Sequence, residues 1–242
     1  MKLDKLYLII ALLCAVTLLY VGQTFALEEF VPIDLEPYAN TKFVGHQWWT
    51  LNAGDNTYSL LPIGEVAEFE GPDKKVKFKI IDGGIVLFGN PQKQWPKVVN
   101  DITVGGVAKS IYFFHATGWS HAREPSYKFV MNYQGGKQET LEMTTGFNSH
   151  DWCHIEKAFQ DENSVWGWTA NEKPACNKAG LITTKWENPH PNTEIISIDA
   201  VSLELGSVPI IAAISLGEGS LDVHPVQKLS LTWASLKQSF GR

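Results

Sequence analysis

Apolar and polar residues alternate with a period of two along much of this chain, in short runs broken by glycine, proline and asparagine. That period places successive side chains on opposite faces, as a half-buried strand requires. Residues 75–81 alternate, with Val76, Phe78 and Ile80 between lysines, so the lysines read as the wet face of a strand. Asp82-Gly83-Gly84 breaks the pattern, and 85–88 is a continuous apolar run. Residues 98–104 follow, closed by Gly105-Gly106, and 110–115 is aromatic and β-branched. In 127–133, Tyr127, Phe129, Met131 and Tyr133 share one face. Gly135-Gly136 then suits a two-residue hairpin leading into 139–145, because both turn positions can need positive φ. Runs at 165–168, 180–186, 193–203 and 208–216 continue the series. Many short strands with regular turn signals predict an all-β sandwich or barrel.

Size agrees with one such domain. The chain has 242 residues, 44% hydrophobic and 12% aromatic, enough for a sizeable core. Of the formal net charge of -6, the first 26 residues contribute +1 through Lys2, Lys5 and Asp4, leaving -7 for the remainder. Nucleic acid and acidic membrane surfaces attract clustered Lys and Arg, so neither is an expected partner.

The two ends differ from the body. Lys2 and Lys5 precede an apolar run at 6–21, and Thr24 and Ala26 are small residues in the -3 and -1 places of a cleavage site. Residues 1–26 therefore read as a signal peptide, with an N-terminal signal helix, and the protein as secreted or periplasmic. The run has 16 residues, fewer than the roughly 20 of a membrane span, so the membrane enters only through an uncleaved signal anchor. Cys14 follows Leu13, too bulky for the usual lipoprotein motif. At the other end, Leu229, Trp233, Leu236 and Phe240 fall on one helical face beyond His224-Pro225. The expected division is a signal at 1–26, a β-sandwich at 27–222 and a C-terminal helical tail at 223–242, which docks on the domain or meets a protein partner. With the signal gone, Cys153 and Cys176 are the remaining cysteines, and an exported chain is expected to pair them as a disulfide.

Nine tryptophans are spread along the sequence. An exposed indole is a flat apolar platform with a polar edge, matched to the C–H face of a sugar ring. Trp119, Trp152 and Trp168, with the loop groups Asn148, His150 and Asp151, are the candidate ligand-binding residues; Trp166 and Trp168, two apart, are expected to share a face. His150, Asp151 and His154 are also the densest group of metal-type side chains, but they match no motif with a mechanism, so the metal ligands stay unassigned. No cofactor is required, and a structural calcium held by loop carbonyls is compatible with the sequence. His115, Trp119, His121 and Arg123 form a second cluster of the kind a lyase needs, a base beside a cation. Arg is confined to Arg123 and Arg242, which weighs against that chemistry. A glycosidase needs two carboxylates at a spatial separation, for which Asp151, Glu172 and Glu187 are undirected candidates. Catalytic residues are therefore not assigned. Trp186-Glu187-Asn188-Pro189-His190-Pro191-Asn192 reads as a rigid turn fixed by its prolines.

That turn, with the residues after it to Asp199, Pro209-Ile210-Ile211-Ala212-Ala213-Ile214, Asp34-Leu35-Glu36-Pro37-Tyr38-Ala39-Asn40, Ile102-Thr103-Val104-Gly105, Ser110-Ile111-Tyr112-Phe113-Phe114-His115 and Asp151-Trp152, resembles galactose-binding-like domains of secreted bacterial proteins. The likeness runs from about residue 31 to 216. It implies a jelly-roll β-sandwich of the carbohydrate-binding-module kind, with a polysaccharide or other glycan as partner, and it supplies no ligand residues. The cysteine pair and the C-terminal helix depart from the pattern. The expectation is an exported, non-catalytic carbohydrate-binding module. The alternatives are a structural or protein-interaction module of the cell envelope, and a jelly-roll polysaccharide lyase or glycosidase.

Overall fold

The computed structural model describes residues 28–50, 52–54, 56–170 and 178–221; the expected signal peptide, Cys176, Glu172 and the helical tail lie outside the described residues. The described chain is nearly all antiparallel β. Its strands are β1 (Glu28–Pro32), β2 (Val66–Phe69), β3 (Val76–Lys79), β4 (Ile85–Val86), β5 (Val98–Gly118), β6 (Pro125–Tyr133), β7 (Gln138–Thr144), β8 (Ser164–Ala170), β9 (Ala179–Glu187), β10 (Ile195–Ser202) and β11 (Val208–Leu221). Two 3-10 turns, Glu36–Tyr38 and Thr57–Leu60, are the helical elements among the described residues. None of their helices is long and apolar enough to cross a membrane.

Gly105-Gly106 does not end a strand; β5 runs straight through it for 21 residues. Gly105 takes φ +60°, the left-handed region open to glycine, and the β5–β10 register shifts there, from Ile195 opposite Gly106 to Ser197 opposite Thr103. At Gly106 a Cβ would sit 2.2 Å from the Ser220 carbonyl oxygen. These glycines form a bulge that bends the strand rather than stopping it. Before the bulge β5 pairs with β10, which continues to β6 and β7; after it β5 pairs with β9, which continues to β8. β11 pairs with the second half of β5 from Gly106 to Gly118, and β1 and β4 pair with β11.

Both faces of the second half of β5 are buried. Tyr112, Phe114 and Ala116 point into one core, under the β2–β3 hairpin, where Phe114 stacks on Phe78 with centroids 5.0 Å apart. Val76, Phe78 and Ile80 are fully buried there while Lys77 is exposed, as the alternation predicts. Ile111 and Phe113 point into a second core, closed by β6 and β10, where Phe113 stacks on Phe129 at 3.9 Å. The Gly135-Gly136 hairpin forms between β6 and β7 with φ of +88° and +83°. β1 and β2 have no counterpart among the expected strands.

The 188–194 turn is held by Asn188. Its Nδ2 donates to the Ala108 carbonyl at 2.7 Å, and its Oδ1 accepts from the His190 N–H at 2.9 Å and from the Tyr133 hydroxyl. This clamp lets the chain leave β9 and rejoin β5 as β10.

The second core closes the β10–β6–β7 arm onto β5 and β11, so Phe113→Ala is expected to cost roughly 3–5 kcal/mol, the usual range for a buried Phe. Urea unfolding measures it against Lys77→Ala on the wet face, which should stay within about 0.5 kcal/mol. Similar losses in both variants would contradict the assignment of Phe113 to the core.

Candidate functional site

Two connections meet beyond the end of β5: residues 119–124, between β5 and β6, and 145–163, between β7 and β8. The second is pinned to β5 by Thr117. The Thr117 N–H and hydroxyl both donate to the His150 carbonyl, at 3.1 and 2.9 Å, and the Thr117 carbonyl accepts from the Trp152 N–H at 2.8 Å. Asp151, between them, ties the loops together: Oδ1 accepts from the Cys153 N–H at 3.0 Å and Oδ2 from the Ser120 N–H at 3.3 Å. The Arg123 N–H adds a second tie by donating to the Thr145 carbonyl at 2.9 Å.

A cavity of about 260 Å³ lies between the connections. Ser120 and Ala122 line it from the first, and Thr145, Gly146, His150, Asp151, His154 and Lys157 from the second. Next in sequence to Ser120 and Gly146 stand two exposed aromatics, Trp119 at 41% and Phe147 at 47% exposure. Trp119 has φ +55°, a conformation costing a non-glycine residue about 1–2 kcal/mol. Trp119 is thus a bulky, partly exposed side chain held in a strained conformation beside the cavity.

His150 is fixed from behind. Its ring lies beside Phe159 (5.1 Å) and over Trp166 (6.3 Å, interplanar 21°), and the Trp166 indole N–H donates to the Lys157 carbonyl at 2.9 Å. His150 Nε2 lies 3.0 Å from the Ala158 carbonyl oxygen, which can only accept, so Nε2 carries the proton and Nδ1 is bare. Burial holds the His150 imidazolium below its usual range.

Of the six candidate ligand-binding residues, the structure brings His150 and Asp151 into the cavity and puts Trp119 beside it. The other three serve elsewhere. Asn148 is buried within its own turn, with Nδ2 donating to the Glu142 carbonyl (2.9 Å) and Oδ1 accepting from the Thr144 N–H (2.7 Å). Trp152 is 7% exposed and packs edge-on against Trp48 at 5.6 Å. Trp168 packs on the first core beside Tyr58. It does not share a face with Trp166: the register shifts between them, setting Trp166 opposite Ile182 and Trp168 opposite Leu181. Glu187 is ion-paired with Lys185 at 2.6 Å, away from the cavity lining. Ser120, Gly146 and Lys157 carry no local sign of a site, because only the meeting of two distant loops gives them a role. Among the described residues no group of three or more His, Cys, Asp or Glu is arranged to hold a metal ion.

The second cluster also divides. His115 is fully buried behind the site and stands inside a chain of polar groups: Nδ1 meets the Tyr127 hydroxyl at 2.5 Å and Nε2 the Thr184 hydroxyl at 2.8 Å. Thr184 meets Ser164 at 2.9 Å, and Ser164 donates to Asp161 at 2.9 Å. The Asp161 carboxylate only accepts, so Ser164 donates to it. The Thr184 hydroxyl has two acceptors for its one proton, Ser164 and the Asn148 carbonyl at 3.2 Å, so it accepts from His115 Nε2–H, and Tyr127 donates to the bare Nδ1. Burial lowers the His115 pKa to about 3.

No protein-family model matches the chain, and no curated protein matches it as a relative.

Neutral His115 has a consequence for stability. From its usual 6.5 down to about 3, the unfolded chain holds a proton on this ring that the folded chain refuses, so stability drops as pH falls through that window. The slope from one such group is about 1.4 kcal/mol per pH unit. Between pH 6 and 5, His115→Gln should show a slope shallower by roughly 1 kcal/mol per unit than the parent in chemical denaturation. Equal slopes would show that His115 takes up its proton while folded.

Proposed function

We propose that this protein is an exported, non-catalytic carbohydrate-binding module on a jelly-roll sandwich of the galactose-binding-like kind, and that the cavity between the 119–124 and 145–163 connections is its binding site. The observation that carries this reading is Trp119, exposed and held in a left-handed conformation beside a cavity lined by Asp151, His150 and Lys157. Aromatic surface next to a few fixed polar groups suits a ligand with apolar C–H faces and hydroxyl edges. The antiparallel β architecture supports it. The reading includes a Cys153–Cys176 disulfide, the pairing expected of the two cysteines left once the signal is removed.

Trp119→Gly tests this directly. Glycine relieves the positive φ, so the variant should unfold at no lower urea concentration than the parent. Tryptophan fluorescence titrated with a panel of soluble plant and algal polysaccharides should show a saturable change for the parent and at least a tenfold weaker one for the variant. Unchanged affinity in Trp119→Gly, or a parent response flat across the panel, would reject the reading.

A further inference from the structure

A strand at the rim of a sheet leaves every second residue's backbone groups without a ladder partner, and β7 is such a strand, paired with β6 alone. The Lys137 carbonyl accepts from the Tyr133 N–H at 2.9 Å, so the odd-numbered residues of β7 bond to β6. The even-numbered ones, Gln138, Thr140, Glu142 and Thr144, turn their N–H and C=O groups outward.

Asn148 closes one end of this edge. Its amide stands where a neighbouring strand's peptide group would, Nδ2 donating to the Glu142 carbonyl at 2.9 Å and Oδ1 accepting from the Thr144 N–H at 2.7 Å. The Thr144 carbonyl is filled by the N–H groups of Phe147, Asn148 and Ser149. Five backbone groups remain without a partner among the described residues: both groups of Gln138, both of Thr140, and the Glu142 N–H. All three residues are exposed.

Charge on an edge normally guards it, and β7 carries Glu139 and Glu142. Against a second copy in antiparallel array, that guard depends on where the two-fold axis falls. An axis at Glu139 or at Glu142 sets that carboxylate opposite its own copy, a like-charge pair. An axis at Leu141 sets Gln138 opposite Thr144, whose groups are already filled. An axis at Thr140 avoids both faults. Thr140 then meets its own copy, Glu139 meets Leu141, and Gln138 meets Glu142. Each of the five open groups finds a partner, the Glu142 carbonyl taking the Gln138 N–H on its second lone pair. The Gln138 side chain gives one Nε2 proton to Asn132 Oδ1 at 2.7 Å and keeps the other for the facing Glu142 carboxylate.

We infer that this protein pairs with a second copy of itself through the outer edge of β7, antiparallel and with the two-fold axis at Thr140. Thr145 follows five residues beyond the axis, so the two 145–163 connections, and the cavities they line, stand about 34 Å apart at opposite ends of the joined sheet, at about 3.4 Å per residue. The pairing does not depend on what the cavity binds. A contact limited to one short edge belongs with small, weak interfaces, so the dimer is concentration-dependent.

Sedimentation velocity of the protein at pH 7.5, up to about 1 mM, tests this. Growth of a dimer with concentration is expected. Thr140→Pro removes an outward N–H that β6 does not use, a position where a strand tolerates proline, so this variant should stay monomeric and keep the parent's urea midpoint. Gln138→Glu puts like charges opposite each other twice per dimer and should weaken association roughly fivefold, while Gln138→Lys should strengthen it by a similar factor. A monomer at every concentration would overturn the pairing, and so would a dimer that persists in Thr140→Pro. Should Thr140→Pro lower the urea midpoint, the two Gln138 variants decide: opposite effects support the axis at Thr140, and equal effects or none overturn it.

Discussion

The bend of β5 at Gly105-Gly106 is the constraint on which the other elements depend. A straight strand of 21 residues would have one set of neighbours along its length. The bulge lets its first half join β10, β6 and β7 and its second half join β9 and β8, so the two arms part and fold back. Phe129 can then stack on Phe113, and Tyr127 can reach His115, across a core that the β10–β6–β7 arm and β5 with β11 bury together. Gly105 supplies the positive φ of the bend, and Gly106, where a Cβ would strike the Ser220 carbonyl, permits the close pairing with β11.

The site follows from where β5 ends. Thr117 fastens the 145–163 connection through the main chain at His150 and Trp152, and Asp151 fastens the 119–124 connection through the Ser120 N–H. Two backbone strains at exposed side chains, Trp119 and Arg123, sit in that short loop. Strain persists where surrounding bonds over-determine it, and here the Asp151–Ser120 and Arg123–Thr145 bonds supply that restraint. Behind the cavity the buried chain from Tyr127 to Asp161 is fully paired and uncharged at His115, so it adds rigidity without adding a proton donor to the lining.

Strand faces were legible in the sequence because alternation and burial are the same information: Val76, Phe78, Tyr127 and Phe129 all lie where period two puts them. The continuity of β5 was not, since glycine pairs mark turns and bulges alike and only the register separates the two. Gly167 misled in a similar way. Its bulge inverts the relation of Trp166 to Trp168, and a Cβ there would sit 2.1 Å from the Thr183 hydroxyl. At the site, His150 and Asp151 stood out by residue type, and Trp119 by its place after an aromatic strand. Trp152 has the same chemistry as Trp119 and a different fate, decided by its N–H pairing with Thr117, which turns the ring toward Trp48 and Tyr58. Lys157, Ser120 and Phe147 become neighbours of the site through tertiary contact alone.

The proposed function puts ligand recognition where the two connections meet at the end of β5. Backbone amide chemical shifts followed during titration with a soluble oligosaccharide read this out residue by residue. Shifts are expected in residues 119–123 and 145–157, with the β2–β3 hairpin and the β7 edge unmoved. Shifts centred on any other surface, with those two segments silent, would contradict it.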